Sequence, residues 1–209
     1  MQKEVREPKQ KRSAETREKI CKAALKLFCE VGYYKTTTNA VAKAAGVPIG
    51  SLYSYFADKD ALFLAILSDY NALFTQASEG IMAQNELYRT DRKAWLRALI
   101  ERLIAVHEQT KDLNREIKIL SLSRPDIKAL CSSDVTKRRV LEYFTKNKDE
   151  LAVPDTEAAA VLSYGFISSV IDYLVFENPE ADRRLYVDTA VEGLYRALGN
   201  SGEADSEWL

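Results

Sequence analysis

An all-α chain is what three observations predict. Glycine and proline are scarce, 8 and 5 among 209 residues, in a sequence rich in Ala, Leu, Lys and Glu, and such a composition favours helices. Apolar residues recur at helical spacing along most of the chain. Stop and start residues, among them Gly32, Gly46, Pro48, Pro125 and Pro179, fall between these stretches. The length permits one domain or two small ones with a proper core. About nine helices are expected. Three form a small helix-turn-helix domain over residues 14–60, and the others a helical domain over 61–200. A flexible basic arm is expected at 1–13 and a flexible tail at 201–209.

The arm is polar and charged, ending in Lys9, Lys11 and Arg12, a composition usually found disordered. The first helix runs from Ser13 or Ala14 to Val31, with Ile20, Ala24, Leu27, Phe28 and Val31 as its buried stripe. Gly32 ends it, and one of Tyr33 and Tyr34 belongs to the core. Thr38 is read as the cap of a second, short helix, Val41, Ala42 and Ala45 as its apolar face, and Gly46 as its stop. Val47 faces inward, and Pro48 pre-sets φ for a new start. The helix Ile49–Tyr55 buries Leu52 and Phe56 and turns Ile49, Gly50, Ser51, Tyr53, Ser54 and Tyr55 outward. Exposed aromatics and hydroxyls with no acid among them suit phosphates and base edges.

Asp58 caps a long helix reaching Gln84, and its first turn holds Lys59; the helix N-terminus and the ammonium both attract a phosphate. A helix over 89–110 turns Trp95, Leu99, Leu103 and Val106 inward. Another, over 112–123, is broken by Arg124-Pro125, and Asp126 opens a short piece. A helix over 134–148 buries Val140, Leu141 and Phe144. Two long helices, 154–177 and 179–198, close the chain. The first of them carries enough small residues for a second helix to approach closely.

The stretch AALKLFCEVGYYKTTTNAVAKAAGVPIGSLYSYFADKDALFLAIL resembles the DNA-binding domain of the tetracycline-repressor (TetR) family of bacterial transcription regulators. The likeness covers about Arg17 to Leu67. It rests on Gly-Tyr after the first helix, Ala-x-x-Ala-Gly-Val, and Leu-Tyr-x-Tyr-Phe-x-x-Lys, a spaced set more specific than a helix-turn-helix pattern alone. The resemblance implies that Thr38 caps and touches a phosphate, and that Asn39 reads a base. It implies base-facing positions at Ile49, Gly50 and Ser51, phosphate contacts from Tyr53 and Tyr55, and a phosphate clamp at Lys59. Two residues depart from the family's pattern. Pro48 stands where a hydroxyl often caps the recognition helix, and Ile49, where a polar residue is common, can only pack on a thymine methyl.

The resemblance further implies a homodimer whose last two helices pair with their copies as a four-helix bundle, through Ala158, Val161, Leu162, Gly165, Ser169 and Leu194. A two-fold dimer reads two half-sites of a palindromic double-stranded DNA operator, about 34–36 Å apart. The expected function is a repressor released by a small, largely apolar effector. Inward helical spacing nominates Phe74, Trp95, Leu99, Leu103, His107, Tyr143, Phe166 and Tyr173 as the effector pocket, with His107 as the orienting polar group. Two alternatives stand beside this: a ligand-independent DNA-binding regulator of the same fold, and a ligand-binding module that no longer binds DNA.

Other classes find less support. Residues 1–60 hold 12 Lys plus Arg against 7 Asp plus Glu, and the remainder 18 against 24, so a net charge of −1 conceals a basic head on an acidic body. Cys21, Cys29 and Cys131 lack metal spacing, and the first two read as small hydrophobes in the first helix. The single histidine has no nucleophile signature around it, and no phosphate loop or metal-spaced pair occurs. No enzyme activity, metal or cofactor is therefore expected. No apolar run is read as long enough to span a membrane, so the cytoplasm is the expected location.

Overall fold

The computed structural model describes residues 7–130 and 132–199, and every regular element among them is helical. Eleven α-helices follow one another: α1 (Glu7–Val31), α2 (Thr38–Ala45), α3 (Ile49–Tyr55), α4 (Lys59–Met82), α5 (Asn85–Thr90), α6 (Arg92–Gln109), α7 (Lys111–Ser123), α8 (Pro125–Leu130), α9 (Ser132–Lys146), α10 (Thr156–Asp172) and α11 (Arg183–Leu198). They divide into two compact units, Met1–Tyr70 with Asp112–Lys128, and Asn71–Lys111 with Ala129–Leu209. The boundary expected at residue 60 falls inside the first unit, which also takes in α7 and most of α8.

The first unit is built on an aromatic cluster. The Phe28 ring lies 5.5 Å from those of Tyr33 and Phe63, and Ile20, Ala24, Val41, Leu52 and Leu62 close around it, fully buried. Ile20, Ala24 and Phe28 follow one another every four residues, the repeat of a helix face. Val31 leaves that face and is 47% exposed, and Leu27 is only half-buried; the buried stripe is narrower than its sequence pattern. Tyr33 is the core tyrosine and Tyr34 is exposed. Helix α1 begins at Glu7 rather than Ser13. Its added turns consist of good helix formers, with Pro8 in the first turn, where its missing N–H is not needed. Residues 1–6 of the expected arm, the 201–209 tail and Cys131 lie outside the described residues.

The cap of α2 is Thr37, not Thr38. Thr37 is extended (φ −114°, ψ 152°) and its hydroxyl accepts from Ala40 N at 3.1 Å, while Thr38 is already helical. Three consecutive threonines leave the register open in the sequence. Gly46 takes the left-handed conformation (φ 66°) at the other end, and Val47 N returns to Ala42 O at 3.0 Å. Thr37→Ala is expected to destabilise the first unit by about 1 kcal/mol, read as a lower thermal midpoint. Thr38→Ala should move it less, and the opposite ranking would reassign the cap.

The second unit packs α6 against α11 over Leu96, Ile100, Ile104, Val187, Ala190 and Leu194, with Lys93–Glu192, Arg97–Asp188 and Arg183–Glu101 pairs along the seam. The single helix expected over 89–110 is two, because Asp91 leaves helical geometry and caps α6 by accepting from Ala94 N. Asp155 and Asp182 cap α10 and α11 in the same way, so these helices start at Thr156 and Arg183 rather than at the prolines. The last turn of the first, Tyr173–Glu177, widens into a π-turn.

The expectation that no apolar run is long enough to span a membrane is corrected here, by length and composition alone. Thr156–Glu177 is a 22-residue helical run of mean hydropathy 1.6, long and apolar enough to cross a membrane, and only 28% of its apolar window is buried within the chain. Its charges, Glu157, Asp172 and Glu177, lie at the two ends.

Candidate nucleic-acid interface

Helices α2 and α3 form the helix-turn-helix, and neither carries an acid. Leu52 and Phe56 anchor α3 in the core and fix which side faces outward. On that outer side Ile49 is 38% and Tyr53 50% exposed, with Asn39 and Gly50 also exposed and Ser51 half-buried. Nothing lies within 4 Å of where a Gly50 Cβ would be, so the glycine leaves the start of α3 open to an approaching backbone or base. Pro48 precedes α3 with no side-chain cap, and its N–H-free ring suits a helix start.

The hydroxyls are already ordered. Thr38 Oγ1 and Tyr53 Oη are 3.0 Å apart, joining α2 to α3, and Ser13 Oγ and Tyr55 Oη are 3.1 Å apart, joining α1 to α3. The Arg17 guanidinium sits 5.6 Å above the Phe56 ring. Tyr53 and Tyr55 are thus held in one orientation before any partner arrives, which reduces the ordering cost of binding.

Lys59 has a second occupation that its sequence position did not suggest. Its ammonium donates to Tyr33 O (2.8 Å) and Thr36 O (3.1 Å) and lies 4.2 Å over the Tyr33 ring. Burial lowers its pKa from the ordinary lysine value. Two of its three N–H groups are used in this way, leaving one. Asp58 Oδ1 caps α4 by accepting from Ala61 N, as expected.

The residues nominated as an effector pocket separate into groups, all in the second unit. Trp95, Leu99 and Tyr143 line an apolar cavity of about 40 Å³ together with Tyr88, Phe144 and Leu198; the Trp95 and Tyr143 rings stack at 5.5 Å. Phe74 and His107 meet edge to face at 4.7 Å, and Leu103 is buried. Burial lowers the His107 pKa to about 4, so the imidazole is neutral, and its Nδ1 has no hydrogen-bond partner among the described residues. Phe74, Leu103, His107, Phe166 and Tyr173 do not line the cavity. Phe166 is 43% exposed beside Gly193, and Tyr173 lies against Tyr186 on the π-turn. Helix α10 is apolar on both sides, so spacing alone could not tell inward from outward.

The outward side of α10 carries the residues nominated for self-association. Val161 (55%) and Leu162 (72%) are exposed, as are Ala158, Gly165 and Ser169. Of these, Ala158 and Leu162 border, with Phe166 and residues of α11, an apolar surface groove of about 480 Å³; Val161, Gly165 and Ser169 do not line it. Leu194 differs from the others: it is 3% exposed and forms the wall between groove and cavity. Among the described residues no cluster of three or more His, Cys, Asp or Glu could hold a metal.

Comparison with known proteins agrees with this geometry. Residues 20–66 match the family described as bacterial regulatory proteins, tetR family. The HTH-type transcriptional regulator HbdR of Aromatoleum sp. is 33% identical over 115 residues, 51% of this chain and 49% of that protein. AcrR of Shigella flexneri is 46% identical over 59 residues, 27% of each. The chain spans about half the length of the first of the curated relatives it matches. Among solved structures, a putative TetR-family regulator from Mesorhizobium loti superposes with a TM-score of 0.65 at 24% identity, covering 88% of this chain and 96% of that one. The fatty acid degradation regulator FadR of Bacillus halodurans gives 0.66 at 21% identity, covering 91% and 96%. At these identities the superpositions speak to the fold alone.

Proposed function

We propose that this chain, whose residues 20–66 match the tetR family of bacterial regulatory proteins, is a cytoplasmic, homodimeric, sequence-specific DNA-binding regulator acting as a repressor at a palindromic operator. The observation that carries the reading is the acid-free outer side of α2 and α3, where Asn39, Ile49, Gly50 and Tyr53 are exposed together in the basic head of the chain. Tyr53, Tyr55, Thr38 and the remaining Lys59 N–H are assigned to phosphates. Asn39, Ile49, Gly50 and Ser51 are assigned to base edges, with Asn39 suited to adenine and Ile49 to a thymine methyl. Self-association through α10 and α11 is proposed because Val161, Leu162, Gly165, Phe166 and Ser169 of α10 are exposed in a single chain.

The test is selection of binding sites from a random duplex library by the full-length protein. Enrichment of a two-fold symmetric site, with affinity falling as salt rises, is the expected result; no enrichment removes the reading. Tyr53→Phe should weaken binding to all enriched sequences alike, since a phosphate contact fixes register without reading sequence. A loss confined to particular sequences would make Tyr53 a base reader instead.

Release by a small apolar effector in the second unit completes the proposal, and the aromatic lining by Trp95, Tyr88 and Tyr143 supports it. The cavity of about 40 Å³ favours a second reading, a regulator that needs no effector, because small-molecule sites usually measure about 300–1,000 Å³. A thermal-shift screen with apolar compounds separates the two. A ligand of the native state raises the midpoint, and only one that also prefers the DNA-incompetent state releases the operator.

A further inference from the structure

We propose that Glu116 and Arg124 are positioning residues for DNA binding: from α7 and the α7–α8 junction they hold the two segments that enter and leave the helix-turn-helix. The inference rests on the DNA-binding reading above and extends it to residues far outside the matched stretch 20–66.

The entering segment is the Gly32–Thr36 loop. Gly32 turns with φ 86°, a conformation that favours glycine, and the next N–H, that of Tyr33, donates to Glu116 Oε1 at 2.6 Å. The carbonyls of Tyr33 and Thr36 are taken by Lys59. The Tyr34 and Ser123 hydroxyls are 3.1 Å apart, a second tie from this loop to α7. The leaving segment is the first turn of α4. There Asp60 accepts from the Tyr33 hydroxyl and from both terminal nitrogens of Arg124, at 3.3 and 3.2 Å. Asp126 fixes the other edge of the same guanidinium, through Nε at 2.9 Å and a terminal nitrogen at 2.7 Å.

The chain of contacts therefore closes on itself. Glu116 holds the loop by its N–H, Lys59 by its carbonyls, and Asp60 by the Tyr33 ring hydroxyl, while Arg124 holds Asp60. Tyr33 is 5% exposed, so removing Glu116 leaves a largely buried N–H without its acceptor, which is the costly way to lose a hydrogen bond. Binding side chains need placement within about 0.5 Å. Freedom at either end of the helix-turn-helix spreads the positions of Asn39 and Tyr53 with no change in their chemistry. Arg124 forks on one carboxylate and is braced by a second, a planar geometry that a lysine does not reproduce.

The experiment uses the full-length protein and a duplex enriched by the wild type from a random library. Affinity is measured well below the thermal midpoint, with the active fraction fixed by stoichiometric titration, and repeated across a salt series. Glu116→Ala and Arg124→Ala are expected to bind about tenfold more weakly, with an unchanged slope of log affinity against log salt because no phosphate contact is lost. Glu116→Gln keeps an oxygen for the Tyr33 N–H and should bind as the wild type does. Wild-type affinity in both alanine variants overturns the inference. So does a salt slope lowered by about one in Arg124→Ala, which marks a direct phosphate contact. A Glu116→Gln protein as weak as Glu116→Ala overturns the acceptor role. Should an alanine variant not fold, Arg124→Lys retains the charge without the fork, and wild-type affinity there counts against the latch. A wild type that enriches no duplex fails the DNA-binding reading, and the inference falls with it.

Discussion

Leu162→Glu is expected to convert the proposed dimer to a monomer and to abolish operator binding at physiological salt. Leu162 is 72% exposed in one chain and borders the groove between α10 and α11. Covering such a side chain is worth about 1.5–3 kcal/mol. A two-fold interface contains the residue twice, so its loss removes about 3–6 kcal/mol. A carboxylate in its place adds several kcal/mol of desolvation per copy. In the isolated chain the same carboxylate stands in water, so helicity and fold should survive. Gly165→Leu is the companion: Gly165 is exposed and no atom lies within 4 Å of its would-be Cβ, so the substitution starts into open space. It opposes only close approach of a second helix, at about 1–3 kcal/mol for an overpacked contact. Light scattering reads the mass, and a gel shift on the enriched duplex reads the consequence, since a monomer engages one half-site. Unchanged dimers for both variants would remove this side of α10 from the interface.

What the sequence made legible was local. The helix-turn-helix is encoded within about twenty consecutive residues, and its apolar positions Val41, Leu52 and Phe56 are all buried. The same holds for Ile20, Ala24 and Phe28, whose spacing leaves one way to face the core. Legibility ended where two registers or two faces were chemically alike. Thr37 and Thr38 are the same residue type one place apart, and the backbone conformation decides between them. On α10, Phe166 and Leu162 are as apolar as the buried Ile171, so periodicity assigned Phe166 to a pocket that it does not line.

Partners distant in sequence were not legible at all. Glu116 and Arg124 resemble ordinary surface charges on an amphipathic helix and its end. Their role depends on an amide 83 residues away and a carboxylate 64 residues away. Lys59 was legible as a cation beside a helix N-terminus, but not as the group that holds the loop carbonyls.

The largest pH effect is expected from His107. In the unfolded chain its imidazole titrates near 6.5, whereas in the folded protein burial lowers the value to about 4. Above pH 6.5 both states are neutral at this site and the full stability is present. As the pH falls below 6.5 the unfolded chain takes up a proton that the folded chain refuses, so stability falls. Below about 4 both states are protonated and the loss levels off. Between pH 7 and pH 5 the expected loss is about 2 kcal/mol. The chain has one histidine, and a variant that cannot titrate there cancels the contribution of every other group, including the Glu116 carboxyl that burial raises. Around the ring stand Phe74 at 4.7 Å and Phe176 at 6.2 Å. Glu108, the next residue, is paired with Arg183, and burial is what disfavours an imidazolium here. His107→Phe replaces the ring by one that cannot titrate. Urea unfolding at pH 7 and pH 5 should show a stability difference in the wild type that largely disappears in the variant. The variant's absolute stability does not enter, since only the difference between the two pH values is compared. Equal pH dependence in the two proteins would mean that His107 takes up its proton as easily folded as unfolded.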